Sequence, residues 1–96
     1  MKVFSKDGAF LYSIGARGSS AGQLKYPAGL TEDGFSNLVV CDTDNKRLQI
    51  FSFEGKLLTT IEGQQSGLAE ASSVALSTTG QLFVSDVGTH SVYVFQ

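Results

Sequence analysis

Short apolar runs recur along the chain, several alternating with polar residues at period two, and each is bounded by Gly, Asn, Asp or Ser. Such alternation, rich in β-branched and aromatic residues, predicts half-buried strands. In the middle of the chain the runs are four. The first lies near Ala28–Thr31, the second is Asn37-Leu38-Val39-Val40-Cys41, the third Arg47–Ser52, and the fourth Lys56–Ile61. Glu54-Gly55 separates the last two, and Asp7-Gly8 occupies the same place near the start, both tight hairpin signals because glycine accepts positive φ without steric cost. Gly34 and Thr79-Gly80 mark the turns between first and second strands. A helical pattern is nearly absent; the stretch Gly67-Leu68-Ala69-Glu70-Ala71 is too short to be more than a turn.

The pattern repeats. At an offset of 44, Pro27–Ser52 lies over Ala71–Gln96 without a gap, with Leu38 on Leu82, Val40 on Val84, Asp42 on Asp86 and Phe51 on Phe95. At an offset of 47, Val3–Ile14 lies over Ile50–Ile61, with Phe4 on Phe51, Ser5 on Ser52, Gly8 on Gly55 and Leu11 on Leu58. The difference falls in a Gly-rich connection from Gly15 to Tyr26, where insertions are tolerated. Four short strands repeating every ~40–45 residues predict a propeller blade. With strands named A to D within a blade, the chain reads as a partial C-D pair (2–14), one full blade (27–62) and a partial A-B-C blade (72–96).

Pro27-Ala28-Gly29-Leu30, then Asn37–Asp42, then Asn45-Lys46-Arg47-Leu48-Gln49-Ile50-Phe51 resemble the NHL repeat, and Gly22–Pro27 resembles its inter-blade link. The last copy departs from it, with Ala71 for the proline, Thr89 for Asn45 and Ser91 for Arg47. The resemblance implies an all-β fold of four-stranded antiparallel blades, ordinarily six to a ring, of the kind that serves TRIM-NHL ubiquitin ligases as a recognition module. It also implies an internal brace in which Asp42 holds Arg47 through a charge-assisted pair. Asp86 faces Ser91 instead, so a weaker brace, or none, is expected there.

Two blades are a third of such a ring. The expected consequence is assembly of three chains into a homotrimer, each lending its first D strand to a neighbour's A-B-C sheet; the alternative is an excised part of a larger propeller. Val3-Phe4 and Val94-Phe95 then compete for one C-strand position. The resemblance places the D–A and B–C connections on one face. That face carries the candidate ligand-binding residues Arg17, Lys25, Tyr26, Lys46, Arg47 and His90 against Asp42, Asp44 and Glu70, with Asp44 expected to cap its own turn. The opposite face carries Asp7, Glu32, Asp33 and Glu54 against Lys6 and Lys56.

Composition narrows the function. The net charge of −2 and the absence of a basic block argue against strong nonspecific nucleic-acid binding. No apolar run approaches the ~20 residues of a membrane span. The single cysteine, Cys41, fits a small buried strand residue in a reducing compartment, so a cytoplasmic location is expected. The A strands, Gly29-Leu30-Thr31 and Ser73-Val74-Ala75-Leu76, offer no cluster of catalytic or metal-ligating groups, and the one histidine, His90, lies at a turn. No nucleophile elbow, phosphate loop or Cys-x-x-Cys occurs. No enzyme, no metal and no cofactor are expected. The expected activity is protein binding, with Tyr26 and Leu68 among the contacts. The alternative is single-stranded RNA, with Arg17, Lys25 and Lys46 on phosphates and Tyr26 or His90 stacking on bases.

Overall fold

Ser5 and Ser52 open two hairpins built alike. Each serine hydroxyl accepts the N–H four residues on, from Ala9 and from Lys56, at 3.1 Å in both cases. Gly8 and Gly55 complete the turns at φ 89° and 99°. Asp33 and Ser77 form a second matched pair. The Asp33 carboxylate accepts the N–H groups of Phe35 and Asn37, and the Ser77 hydroxyl accepts those of Thr79 and Gln81. Short side chains that bond their own backbone favour turns over continued strand.

These turns join nine strands in a computed structural model that describes residues 1–96. In chain order they are β1 (Lys2–Phe4), β2 (Phe10–Ser13), β3 (Pro27–Glu32), β4 (Asn37–Asp42), β5 (Arg47–Ser52), β6 (Leu57–Glu62), β7 (Ala71–Leu76), β8 (Leu82–Asp86) and β9 (Ser91–Phe95). They form three antiparallel sheets, β1-β2, β3-β4-β5-β6 and β7-β8-β9, so the fold is all-β. Pro27 stands at the start of an edge strand, where its missing N–H breaks no ladder. The one α-helical turn, α1, is Gly63–Ser66, immediately before Gly67–Ala71. Gly67 closes it at φ 91°, its N–H bonded to the Gly63 carbonyl. No helix is long and apolar enough to cross a membrane.

Strand alternation sends successive side chains to opposite sides of the middle sheet. Val40 and Phe51 meet Ile14 and Leu24 from the first sheet and its link. Cys41 and Leu48 meet Leu68, Ala71 and Val84 from the last sheet and its link. The central strands of the middle sheet, β4 and β5, are thus covered on both sides. At Gly29 the β3 backbone packs close against β7: a Cβ there would lie 2.8 Å from the Ser72 carbonyl oxygen and 3.3 Å from Cys41 Sγ.

A candidate binding face at the links and turns

β4 ends at Asp42, and a 3₁₀ turn (Thr43–Asn45) returns the chain to β5 through Lys46 at φ 56°. β8 ends at Asp86 and returns to β9 through His90 at φ 54°. Left-handed backbone costs a non-glycine residue about 1 kcal/mol or more. Both tips nevertheless carry a long exposed side chain where glycine would fit more easily.

The Asp42 carboxylate gathers the preceding link and its own turn. It accepts bonds from Lys25 N–H (2.8 Å), Asn45 Nδ2 (2.8 Å), Arg47 Nε (2.9 Å) and Gln49 Nε2 (3.2 Å). Arg47 Nη2 reaches further, to the carbonyls of Ser20 (3.0 Å) and Gln23 (2.8 Å). Asp86 does the same work without a guanidinium. It accepts four backbone N–H groups, from Ala69 (2.7 Å), Glu70 (3.1 Å), Gly88 (2.9 Å) and Thr89 (3.0 Å). Ser91 does not brace Asp86, its hydroxyl bonding the Thr89 carbonyl instead; four backbone donors stand where the first repeat has its arginine. Burial alone would raise the Asp86 pKa, but those four donors outweigh it and hold the carboxyl below its ordinary value.

Gln49 was not singled out by its sequence, yet it is wholly buried and sews the same link. Its Nε2 donates to the Gln23 carbonyl at 2.7 Å, and its Oε1 accepts the Gly22 N–H at 3.0 Å. At the equivalent place in the last repeat, the Tyr93 hydroxyl donates to the Gly67 carbonyl at 3.1 Å. The signal was available in the aligned repeats: a donor-bearing side chain stands at this position in both.

The predicted face residues separate into two groups. Arg17, Lys25, Lys46 and His90 are exposed, and Tyr26 is 60% exposed. Arg47 is not available: it is 6% exposed, and Asp42 and two carbonyls occupy it. Leu68, expected as a contact, is buried in the core between the middle and last sheets. No side chain caps the 3₁₀ turn, so Asp44, expected to do so, stays exposed. A groove of about 460 Å³ opens between this turn and α1, lined by Asn45, Lys46, Glu62, Gln64, Gln65 and Leu68 among others. Arg17, Lys25 and Lys46 are thereby set against Asp44, Glu62 and Glu70. The mild positive charge expected of this face is close to balance.

No protein-family model matches the chain. A curated relative does. Over 66 residues, 69% of the chain, it is 29% identical to the human E3 ubiquitin-protein ligase NHLRC1. That similarity is consistent with NHL-type repeats. The chain spans about a sixth of that protein's length, 17% being covered.

Proposed function

We propose that the chain is a non-catalytic interaction module made of NHL-type propeller blades, in which three copies close a six-bladed ring and offer the link-and-turn face to protein ligands. One comparison carries the assembly. Val39, Cys41 and Leu48 on the middle sheet are 0% exposed, Cys41 and Leu48 in the core shared with the last sheet. Their counterparts on the last sheet, Phe83, Ser85 and Val92, line an open groove, with Phe83 39% and Val92 65% exposed. On the other side, Val74 packs against the core between the middle and last sheets, whereas its counterpart Leu30 is 55% exposed. The two uncovered faces are those that cover each other inside the chain. A second copy supplies what each lacks, through a head-to-tail contact that closes by cyclic symmetry.

The strands complete the picture. β9 has a free edge where β5 has β6, and β2 is the repeat counterpart of β6. In the ring, β2 of one copy pairs with β9 of the next, and β9 takes the place of β1. β1 yields because it is three residues long and its register slips between Val3 and Phe4, whereas β9 pairs β8 over five residues without a break.

A protein ligand is favoured over RNA by charge. With Arg47 internal and Glu62 in the groove, the face lacks the cationic excess that phosphate binding requires. A mobility-shift titration with single-stranded RNA at two salt concentrations tests this reading. No shift is expected, and a retarded band that weakens steeply with salt would reverse the assignment. The assembly is tested by molecular mass in solution.

A further inference from the structure

The opposite face, where the A–B and C–D turns lie, carries an aromatic patch that the fold does not require. Phe35 stands at the tip of the β3–β4 turn and is 83% exposed. The same turn between β7 and β8 is built with Thr79 at that position, on the matching Asp33 and Ser77 scaffolds. A phenylalanine is therefore not what shapes the turn. Its neighbour Ser36 is held left-handed at φ 62°, where the last repeat has Gly80 at φ 87°. The turn is tied by its own side chain: the Asp33 carboxylate accepts two backbone N–H groups and the Asn37 side-chain amide. The Ser36 carbonyl accepts the Phe53 N–H at 3.2 Å, and the Phe53 carbonyl in turn accepts the Tyr12 hydroxyl. The Phe35-Ser36 turn and Phe53 are thus tied through the backbone, Tyr12 joins Phe53 through its side-chain hydroxyl, and a groove of about 330 Å³ lies among Tyr12, Phe53 and Glu54.

We propose that this groove takes a cationic peptide side chain, arginine or lysine, between the rings of Tyr12 and Phe53 and the carboxylate of Glu54, with Phe35 closing over the flanking peptide. Aromatic faces attract cations through the ring quadrupole. Glu54 is exposed and has no ion-pair partner, since the structure's one salt bridge joins Asp42 to Arg47. Asp7, Glu32 and Asp33 add to Glu54 on this face and together outnumber its Lys6 and Lys56, which favours a cationic ligand over a phosphate-bearing one. All of these residues belong to one chain, so the site does not depend on ring closure.

The test is an amide chemical-shift titration of the ¹⁵N-labelled protein with a capped pentapeptide holding one central arginine, alongside its neutral citrulline twin. The arginine peptide shifts Phe35, Ser36, Phe53 and Glu54, and the citrulline peptide binds at least about 5-fold more weakly. Glu54→Gln and Phe35→Thr each weaken arginine binding about 3-fold or more while leaving the remaining spectrum in place. Phe35→Thr copies the residue that the last repeat already carries, so the turn survives it. Equal binding of both peptides, shifts confined to Lys46 and His90, wild-type affinity in both variants, or no shift up to about 5 mM peptide overturns the proposal.

Discussion

Asp42 and Asp86 hold the same two anchor points in successive repeats. Asp42 accepts the Lys25 N–H at 2.8 Å and Asp86 the Ala69 N–H at 2.7 Å, and both pairs are separated by 17 residues. Beside them, the Thr43 N–H reaches the Tyr26 carbonyl and the Val87 N–H the Glu70 carbonyl, each at 3.1 Å. Removing either carboxylate strands its donors. Asp42→Ala leaves the Arg47 guanidinium buried without its partner and costs about 3–5 kcal/mol. Asp86→Ala leaves backbone N–H groups unsatisfied and costs about 2–3 kcal/mol. Urea unfolding curves of the two variants check both the order and the size.

Acid should weaken the fold through Asp33 and Asp86. Burial pushes both pKa values up, but hydrogen bonds to the ionised form prevail and both end lower than in the unfolded chain. A carboxyl with a depressed folded pKa contributes stability above its unfolded value, and that contribution is lost as pH falls through the folded value. Stability is expected to be level from neutrality down to about pH 5 as far as these groups act, then to decline below about pH 4. In Asp86→Asn the decline is shallower; an unchanged slope removes Asp86 from the account.

Gly63 sits where no side chain fits. A Cβ would lie 2.4 Å from both the Leu68 and Lys46 carbonyl oxygens, which are backbone and do not swing away. Gly63→Ala is expected to cost about 2–3 kcal/mol through forced backbone shifts. Gly8→Ala meets open space and carries only the penalty of its φ of 89°, about 1 kcal/mol. Thermal melts of the pair should differ in that order.

Cys41 reports on the contact between the middle and last sheets. It is wholly buried beside Leu48 and Ala71, and burial pushes its thiol up to about 11. The thiolate is the reactive form, so labelling at neutral pH should wait for the sheets to part. Its rate should follow unfolding across a denaturant series, and fast labelling without denaturant would show that this contact opens freely.

The strands and turns were legible because each depends on its own few residues. Alternation marks Asn37–Cys41, and Glu54-Gly55 and Asp7-Gly8 mark hairpins whatever else surrounds them. The partners of a side chain were harder to read. Arg47 was expected both as a brace and as a ligand contact, and only the Ser20 and Gln23 carbonyls show that it is used up inside. Leu68 was expected as a contact because it lies in the loop between two repeats, yet that loop folds it into the core with Cys41, Ala71 and Val84. Alternation tells which side of a sheet a residue faces, not what lies across from it. For the same reason Phe35 drew no notice: its distinction is a contrast with Thr79 on an identical turn.

The assembly makes the sharpest demand. Burial is worth roughly 25 cal/mol per Å², and the open positions Leu30, Phe83, Val92 and Val94 are all large apolar groups, each at least 39% exposed in the single chain. Phe83→Asp places a charge at the centre of the last sheet's open face, away from the chain's own core, and should abolish assembly while leaving the separate chain's strands intact by circular dichroism.

Light scattering coupled to size exclusion at micromolar concentration tests the ring most directly. The account predicts a particle of about three times the 10.2 kDa chain mass, reduced to one by Phe83→Asp. A wild-type protein that elutes at the mass of a single chain and melts cooperatively on further dilution would contradict it.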